Sequence, residues 1–350
     1  MLYSKLRERH QVKVISFKRQ YPRIFFPGRT QQDFSQDVDP IESEPLVDSI
    51  NPISWVRTFL RIKMEKPDLL IFKYWMPFFA PCYASILFLT RLFTITKSLF
   101  ICDNIIPHER RVGDLFLTRL ALRFVDYFIV QSKVVRDDLL RFRPDADYRE
   151  VPHPVYSIFK SHYSRDQARE KLGIHEERVI LFFGYVRAYK GLEYLIRALP
   201  LVLEKVDVKL VVAGEFYEDR GKYERLIKGL GLGERVLLVD RYVPNEEVGV
   251  YFSVCDVVVL PYVSATQSGI LQIAYNFNKP VITTAVGGLP EVVGEGRTGF
   301  IVPPKDPEAL AGAILRFFEE GAGFSENIAR EKEKYSWDKM VEAVESLVGS

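Results

Sequence analysis

The sequence predicts an α/β protein of two Rossmann-like domains with parallel sheets facing one another across a cleft, and three observations predict it. Short apolar runs alternate with amphipathic helical patterns along the whole 350-residue chain. Several runs, VILFFG (179–184) and DVVVLP (256–261) among them, are apolar on both alternating faces, as strands covered by helices on two sides must be. The length also exceeds what one hydrophobic core usually serves, so two domains are expected.

In the first half, VKVISF (12–17), DLLIFKY (68–74), SLFICD (98–103) and YFIVQS (127–132) read as strands, separated by helical patterns near 52–65, 81–94, 113–124 and 133–141. Residues 1–155 are taken as the first domain, because two prolines interrupt the pattern in VPHPVYSIF (151–159). In the second domain, 156–334, strands are expected at 179–184, 208–214, 235–240, 256–261 and 280–285. Helices are expected there near 191–204, 220–230, 245–252, 268–277 and 307–319. The closing stretch, 335–350, puts Trp337, Met340, Val341, Val344 and Leu347 at helical spacing.

Composition narrows the function classes. A hydrophobic share of 47% with 27% charge belongs to a globular chain, and a net charge of +2 offers no ground for nucleic-acid binding. The halves differ: residues 1–150 hold 24 Lys/Arg against 18 Asp/Glu, the rest 24 against 28. Cys82, Cys102 and Cys255 are odd in number and lack metal-ligand spacing, which predicts buried thiols in a reducing compartment and no metal site. MLYSKLRERH carries no secretory signal, so a cytoplasmic location is expected. The stretch 77–100 is rich in aromatic and aliphatic residues, yet Pro81, Arg91 and Lys97 interrupt it and it falls short of a spanning helix. It reads as a buried or groove-facing helix from Pro81 to Thr94, with contact between its outer face and a bilayer as the second reading.

The chemistry concentrates in RVILFFGYVRAYK (178–190), followed at once by Gly191 and an amphipathic run. An apolar strand that stops at Gly184, passes two cations and opens a helix sets Arg187 and Lys190 beside a helix N-terminus. There oriented N–H groups, the helix dipole and two cations suit a diphosphate, the alternative being that Arg187 and Lys190 are solvated loop cations. In open α/β sheets ligands sit outside the carboxyl ends of the strands. The loops at those ends hold Gly214 and Glu215, Arg241 and Tyr242, Ser264 to Gly269, and Gly287, Gly288 and Pro290. SATQSGI (264–270) is a second candidate anion seat or an ordinary helix cap.

The order of these pieces resembles the family 4 glycosyltransferases of GT-B architecture, the glycosyl transferases group 1. The likeness runs over about 178–320, through FFGYVRAYKGLEYLIRAL, LVVAGE, RYVPNEEVGVYFSVCDVVVLPY, the Ser/Gly loop and NKPVITTAVGGLPEVVGEGRTGFIVPPKDPEALAGAI. More weakly, FICDNIIPHE resembles the acceptor-side strand and loop, and VPHPVYSIF the interdomain linker. The resemblance implies sugar transfer from a nucleotide-diphosphate sugar to an acceptor hydroxyl, with retention, no required metal and no cofactor beyond that co-substrate. The product would be a polysaccharide, glycolipid or other glycoconjugate. By the same resemblance Arg187 and Lys190 are the phosphate-binding pair, with Gln267, Ser268, Gly269 and Ile270 assisting through backbone N–H groups and Thr266 beside them in the donor site. Val239, Arg241 and Tyr242 fall where the base is received, and Gly184, Gly214 and Glu215 line the same cleft. The last helix would cross back toward the amino-terminal domain, with Trp337 and Met340 between the domains.

On the acceptor side, Asp103, Asn104, His108 and Glu109 follow the strand SLFICD. Asp103 stands where relatives often carry a histidine, and His108 has a side chain that titrates near neutrality, so either is a candidate to orient or deprotonate the acceptor. The alternative is a capped turn beside a solvated charge cluster. A basic, aromatic-rich first half suits a sugar, lipid-linked or phosphorylated acceptor, with peripheral contact at the inner membrane face.

Two departures from the family pattern stand out. The family's two glutamates, eight positions apart, would fall on Ala265 and Ile273, leaving Gln267 and Gln272 as the nearest polar side chains. Gln272, on a helix flank, reads as packing or as a ribose contact. The family also opens with a strand and glycine loop ahead of a helix like Met1–Arg9, so the chain is expected to lack that strand and to show weak activity or none. A non-catalytic GT-B protein that binds nucleotide or glycan and supports a partner enzyme is the competing reading. A sugar-nucleotide epimerase would need a Gly-x-Gly-x-x-Gly loop after its first strand, and none is present.

Overall fold

The computed structural model describes residues 1–22, 41–107, 111–321 and 323–349, and every strand pairing among them is parallel. The described residues form two compact units. One runs to His153 and is taken up again from Trp337, and the other spans Pro154–Ser336.

The first unit begins with a short helix, α1 (Leu2–Leu6), and a two-stranded sheet of β1 (Val14–Arg19) and β2 (Ser43–Asp48). Helix α2 (Pro52–Glu65) starts where the Asn51 side chain accepts the Ile53 N–H and proline occupies the first turn. Then come β3 (Leu69–Tyr74), α3 (Ala80–Phe93), β4 (Lys97–Cys102), α4 (Asp114–Leu122), β5 (Tyr127–Val130), α5 (Lys133–Phe142) and β6 (Asp147–Glu150). Strands β3-β4-β5-β6 form one sheet in that order. Strand periodicity sends Phe100, Cys102, Phe128 and Val130 to one face, against Ile62, Ile86, Leu87, Ala121 and Leu122 of α2, α3 and α4.

The second unit starts with α6 (Arg165–Leu172), entered through a capping box of Ser164 and Gln167 and closed by Gly173. It continues with β7 (Arg178–Phe183), α7 (Leu192–Leu203), β8 (Val208–Ala213), α8 (Arg220–Gly229), β9 (Val236–Val239) and α9 (Asn245–Val254). Next are β10 (Val257–Leu260), α10 (Gly269–Asn276), β11 (Val281–Thr284), α11 (Leu289–Val292), β12 (Gly299–Val302), α12 (Pro307–Glu320) and α13 (Phe324–Glu331). The sheet order is β12-β11-β10-β7-β8-β9, the doubly wound arrangement in which strand order reverses between β7 and β10. Along β7, Val179 and Leu181 enter one core while Ile180 and Phe182 enter the other, so both faces are covered. The two Rossmann-like halves expected from the sequence are thus present.

The last helix, α14 (Trp337–Val348), belongs to the first unit. Its Met340, Val344 and Leu347 cover Leu99, Ile101 and Ile129 on the sheet face opposite α3. Trp337 lies edge-on to His153, 6.5 Å between ring centroids.

Strands β2, β6 and β12 and helix α6 are additions to the sequence reading. Strand β6 and strand β12 are sheet edges, and β2 pairs only with β1, so SEPLVD and DYRE need no apolar face on both sides and carry little hydrophobic signal. The first strand lies at Val14–Arg19, two residues beyond the expected 12–17. All three cysteines are buried free thiols, and burial pushes those of Cys82 and Cys255 up to about 12. No helix among the described residues is long and apolar enough to cross a membrane.

Candidate functional site

The strand-order reversal in the second unit puts the loops after β7 and β10 side by side, and the structure joins them. The Val263 N–H donates to the Tyr189 carbonyl at 2.7 Å. Gly191, in the left-handed region at φ +67°, approaches the β10 loop so closely that a Cβ there would lie 2.1 Å from the Pro261 carbonyl oxygen. Only glycine satisfies both demands, and its fit brings the amino end of α7 against the β10 loop. Between Arg187 and Gly191 the chain makes a single 3₁₀ turn, Ala188–Lys190, that folds the Lys190 side chain inward.

Lys190 is 8% exposed, and its ammonium has no ion pair among the described residues. Burial pushes the group down to about 8, with the charge of Arg187 adding to the effect. Its Nζ lies 5.7 Å from the ring centroid of Tyr262, whose hydroxyl meets Ser268 Oγ at 3.3 Å. Gly184 sits at φ +96°, and a Cβ there would be 3.2 Å from Lys190 Nζ and 3.0 Å from Ile270 Cδ1. Gly184, Lys190 and Ile270 therefore converge on one point. Arg187 lies beside it, its Cζ 4.9 Å from the Tyr217 ring, which in turn stacks on Tyr185 at 4.6 Å. Those aromatic neighbours of the two cations escaped the sequence reading. The signal available was Tyr185 directly after Gly184 and Tyr262 at the end of DVVVLPY.

The other candidates of this unit divide. Ser268 caps α10, accepting the Leu271 N–H at 3.4 Å, and Thr266, buried, accepts the Gly288 N–H at 2.9 Å through its carbonyl. Gln267 and Gly269 are half-buried in the same turn, with Tyr156 against Gly269. Gly214 donates its N–H to the Val239 carbonyl at 3.0 Å, and the Glu215 carbonyl accepts the Val186 N–H at 2.9 Å, so the β8 loop is laced to both neighbours. Arg241 turns toward α9, where it pairs with Glu247, and its Nη1 donates to the Tyr242 carbonyl at 3.4 Å. Gln272 is 2% exposed and its Oε1 is buried without a hydrogen-bond partner among the described residues. At helical spacing it lies about 200° round α10 from Ile270, so it is not brought into the group at Gly184.

In the first unit, Asp103 follows β4, and its Oδ1 lies 2.6 Å from Lys73 Nζ on β3. Its N–H donates to the Tyr74 carbonyl at 2.9 Å. Asn104 Nδ2 reaches the Trp75 carbonyl at 3.5 Å. His108 and Glu109 lie outside the described residues.

The second unit thus presents a buried cation at a doubly wound switch point, flanked by a second cation and two helix starts. Residues 177–320 match the glycosyl transferases group 1 family. Beyond this group 1 domain, an uncharacterized glycosyltransferase of Methanocaldococcus jannaschii is 34% identical over 178 residues, 49% of this chain and 45% of that protein. A D-inositol 3-phosphate glycosyltransferase of Streptomyces avermitilis is 29% identical over 256 residues, 68% of this chain and 53% of that protein. The chain thus spans about half the length of these curated relatives. Among solved structures, Anabaena HepE in complex with UDP superposes with a TM-score of 0.72 at 18% identity, covering 88% of this chain and 86% of that one. Sucrose-phosphate synthase from Thermosynechococcus elongatus gives 0.67 at 22% identity, covering 84% and 77%. At these identities the likeness is one of fold, and both fold neighbours are GT-B proteins.

Proposed function

We propose that the protein is a glycosyltransferase that moves a sugar from a nucleoside diphosphate sugar to an acceptor hydroxyl, with retention and without a catalytic metal. The observation that carries this reading is Lys190, a buried ammonium without a carboxylate partner among the described residues, set beside Arg187 where the strand order reverses. A buried charge left in this way is stabilised by a ligand of opposite sign. When the bond from the anomeric carbon to the diphosphate oxygen breaks, the electron pair stays on that oxygen. Lys190 and Arg187 then stabilise the growing negative charge in a site already organised to receive it. N–H groups at the start of α7 and from Gln267 to Ile270 add oriented donors. This supply of positive charge is the support for metal-free transfer, and retention rests on the family resemblance. The carboxylate of Asp103, held by Lys73, suits accepting a hydrogen bond from an acceptor hydroxyl.

Because the structural relative HepE is complexed with UDP, uridine diphosphate sugars are the first donors to test, alongside guanosine and adenosine counterparts. Calorimetric titration is expected to show one donor binding and Lys190→Ala abolishing it. A folded chain that binds none of them refutes the donor site. Product anomeric configuration by NMR tests retention. One observation favours a second reading: Ala265 and Ile273, where the family carries glutamates, are buried apolar residues. That suits a protein which binds nucleotide or glycan without turnover. Donor consumption in the presence of acceptor separates the two readings.

A further inference from the structure

Helices α2, α3 and α4 form one layer over a single face of the β3–β6 sheet, α2 packing on α3 and α3 on α4. Their inner sides supply the core. Their outer sides are apolar as well, which a helix layer facing water does not require. On α2, Ile53, Val56, Leu60 and Met64 are spaced three and four apart and share the outer face, with Met64 74% exposed. On α3, Phe88 and Leu92 stand one turn apart and the apolar line runs on to Ile95 beyond the helix end, Leu92 being 60% exposed. On α4, Leu115 and Phe116 continue the surface, Phe116 at 67%. An exposed apolar surface shared by three neighbouring helices is the mark of an interaction face.

The charge on the same elements names the partner. The three helices hold five Lys/Arg against two Asp/Glu, and Lys66, Lys97, Arg111 and Arg123 flank their ends, with Arg61 also meeting Glu44 and Lys97 meeting Asp126. Both acids are engaged: Glu65 pairs with Lys13 and Arg61, and Asp114 accepts the Arg111 N–H at 2.7 Å. Lys63 lies along the Phe93 ring, its Nζ 5.5 Å from the centroid, and Arg123 Cζ is 5.5 Å from that of Phe124. Apolar side chains framed by cations on long stems match the boundary between acyl chains and anionic head groups. A second copy of the chain fits poorly, because a two-fold contact would set this excess of cations against itself. We infer that the outer surface of α2, α3 and α4 docks the protein on an anionic lipid bilayer.

Flotation of the whole chain with vesicles of phosphatidylglycerol and phosphatidylcholine, and with phosphatidylcholine alone, tests this. The parent protein is expected to float with the anionic vesicles, to leave them above ~0.5 M salt, and to ignore the neutral ones. Leu60→Asp combined with Phe116→Asp is expected to weaken binding by about ten-fold or more. Arg57→Glu combined with Arg91→Glu reads the charge independently should the first pair perturb folding, with about a five-fold loss per cation. UDP binding by both variants stays at the parent level, which separates this surface from the donor site. Absence of flotation, equal binding to neutral vesicles, or variants that float like the parent overturn the inference. So does a dimer in sedimentation velocity that Leu60→Asp dissolves, since the face then serves self-association.

Discussion

Replacing Lys190 with methionine is expected to make the unliganded protein more stable while removing its capacity to bind a diphosphate. The side chains are close in length, so the change deletes a charge and little volume. Burial holds the folded-state ammonium at about 8, against an ordinary value of 10.5. The free-energy penalty on the charged form is therefore about 3 kcal/mol. Below pH 8 both folded and unfolded chains carry the proton and the penalty is fully present. Between 8 and 10.5 the unfolded chain binds more protons than the folded one, so stability rises with pH across that window, and above it the penalty is gone. Urea denaturation of parent and Lys190→Met at pH 7 and pH 10 measures this, the difference between the two proteins cancelling the other groups that titrate. The variant should be more stable at pH 7 by up to about 3 kcal/mol, and the advantage should shrink by pH 10. Diphosphate affinity of the parent should fall as pH rises past about 8, because the site loses its proton. A variant less stable than the parent at pH 7, or a difference that does not change with pH, refutes the account of Lys190 as a strained cation waiting for an anion.

Two further outcomes follow from the same loops. Gly191→Ala puts a Cβ into the Pro261 carbonyl from a left-handed backbone, so a loss of about 2 kcal/mol or more in thermal or urea unfolding is expected, together with weaker nucleotide binding. Tyr217→Leu removes the ring beneath Arg187 while keeping an apolar side chain, and calorimetry should record about a three-fold loss of diphosphate affinity.

The loop from Gly184 to Gly191 was legible because a strand, a glycine, two cations and an amphipathic run follow one another without interruption. The burial of Lys190 was not. A cation in a short loop ordinarily reaches water, and what encloses this one is the β10 loop, brought over it by the Gly191 contact with Pro261 and the bond between Val263 and Tyr189. Arg241 shows the opposite: its position in the loop after β9 was legible, but its direction depends on Glu247 in the next helix. Gln272 reads from the sequence as a helix-flank residue, and the structure buries it and leaves its carbonyl without a partner among the described residues. Periodicity marks apolar faces and says nothing of a polar residue inserted among them. Most strands of the two larger sheets are legible because both faces are covered, whereas β2 and the edge strand β6 had no such pattern to display, and the edge strand β12 was also missed.

The course of the backbone imposes an order on synthesis. Leu99, Ile101 and Ile129 are made before the second unit, yet the side chains that cover them, Met340, Val344 and Leu347, follow only after it. The ~180 residues between the two parts of the first unit take about 10–40 s to translate at ordinary rates, time in which the second unit, continuous in sequence, can fold by itself. During that interval the β3–β6 sheet has one face open to solvent and to other nascent chains. A stop codon or proteolytic cut near residue 336 would prolong that exposure indefinitely, so the damage from losing α14 falls on the unit that was begun first.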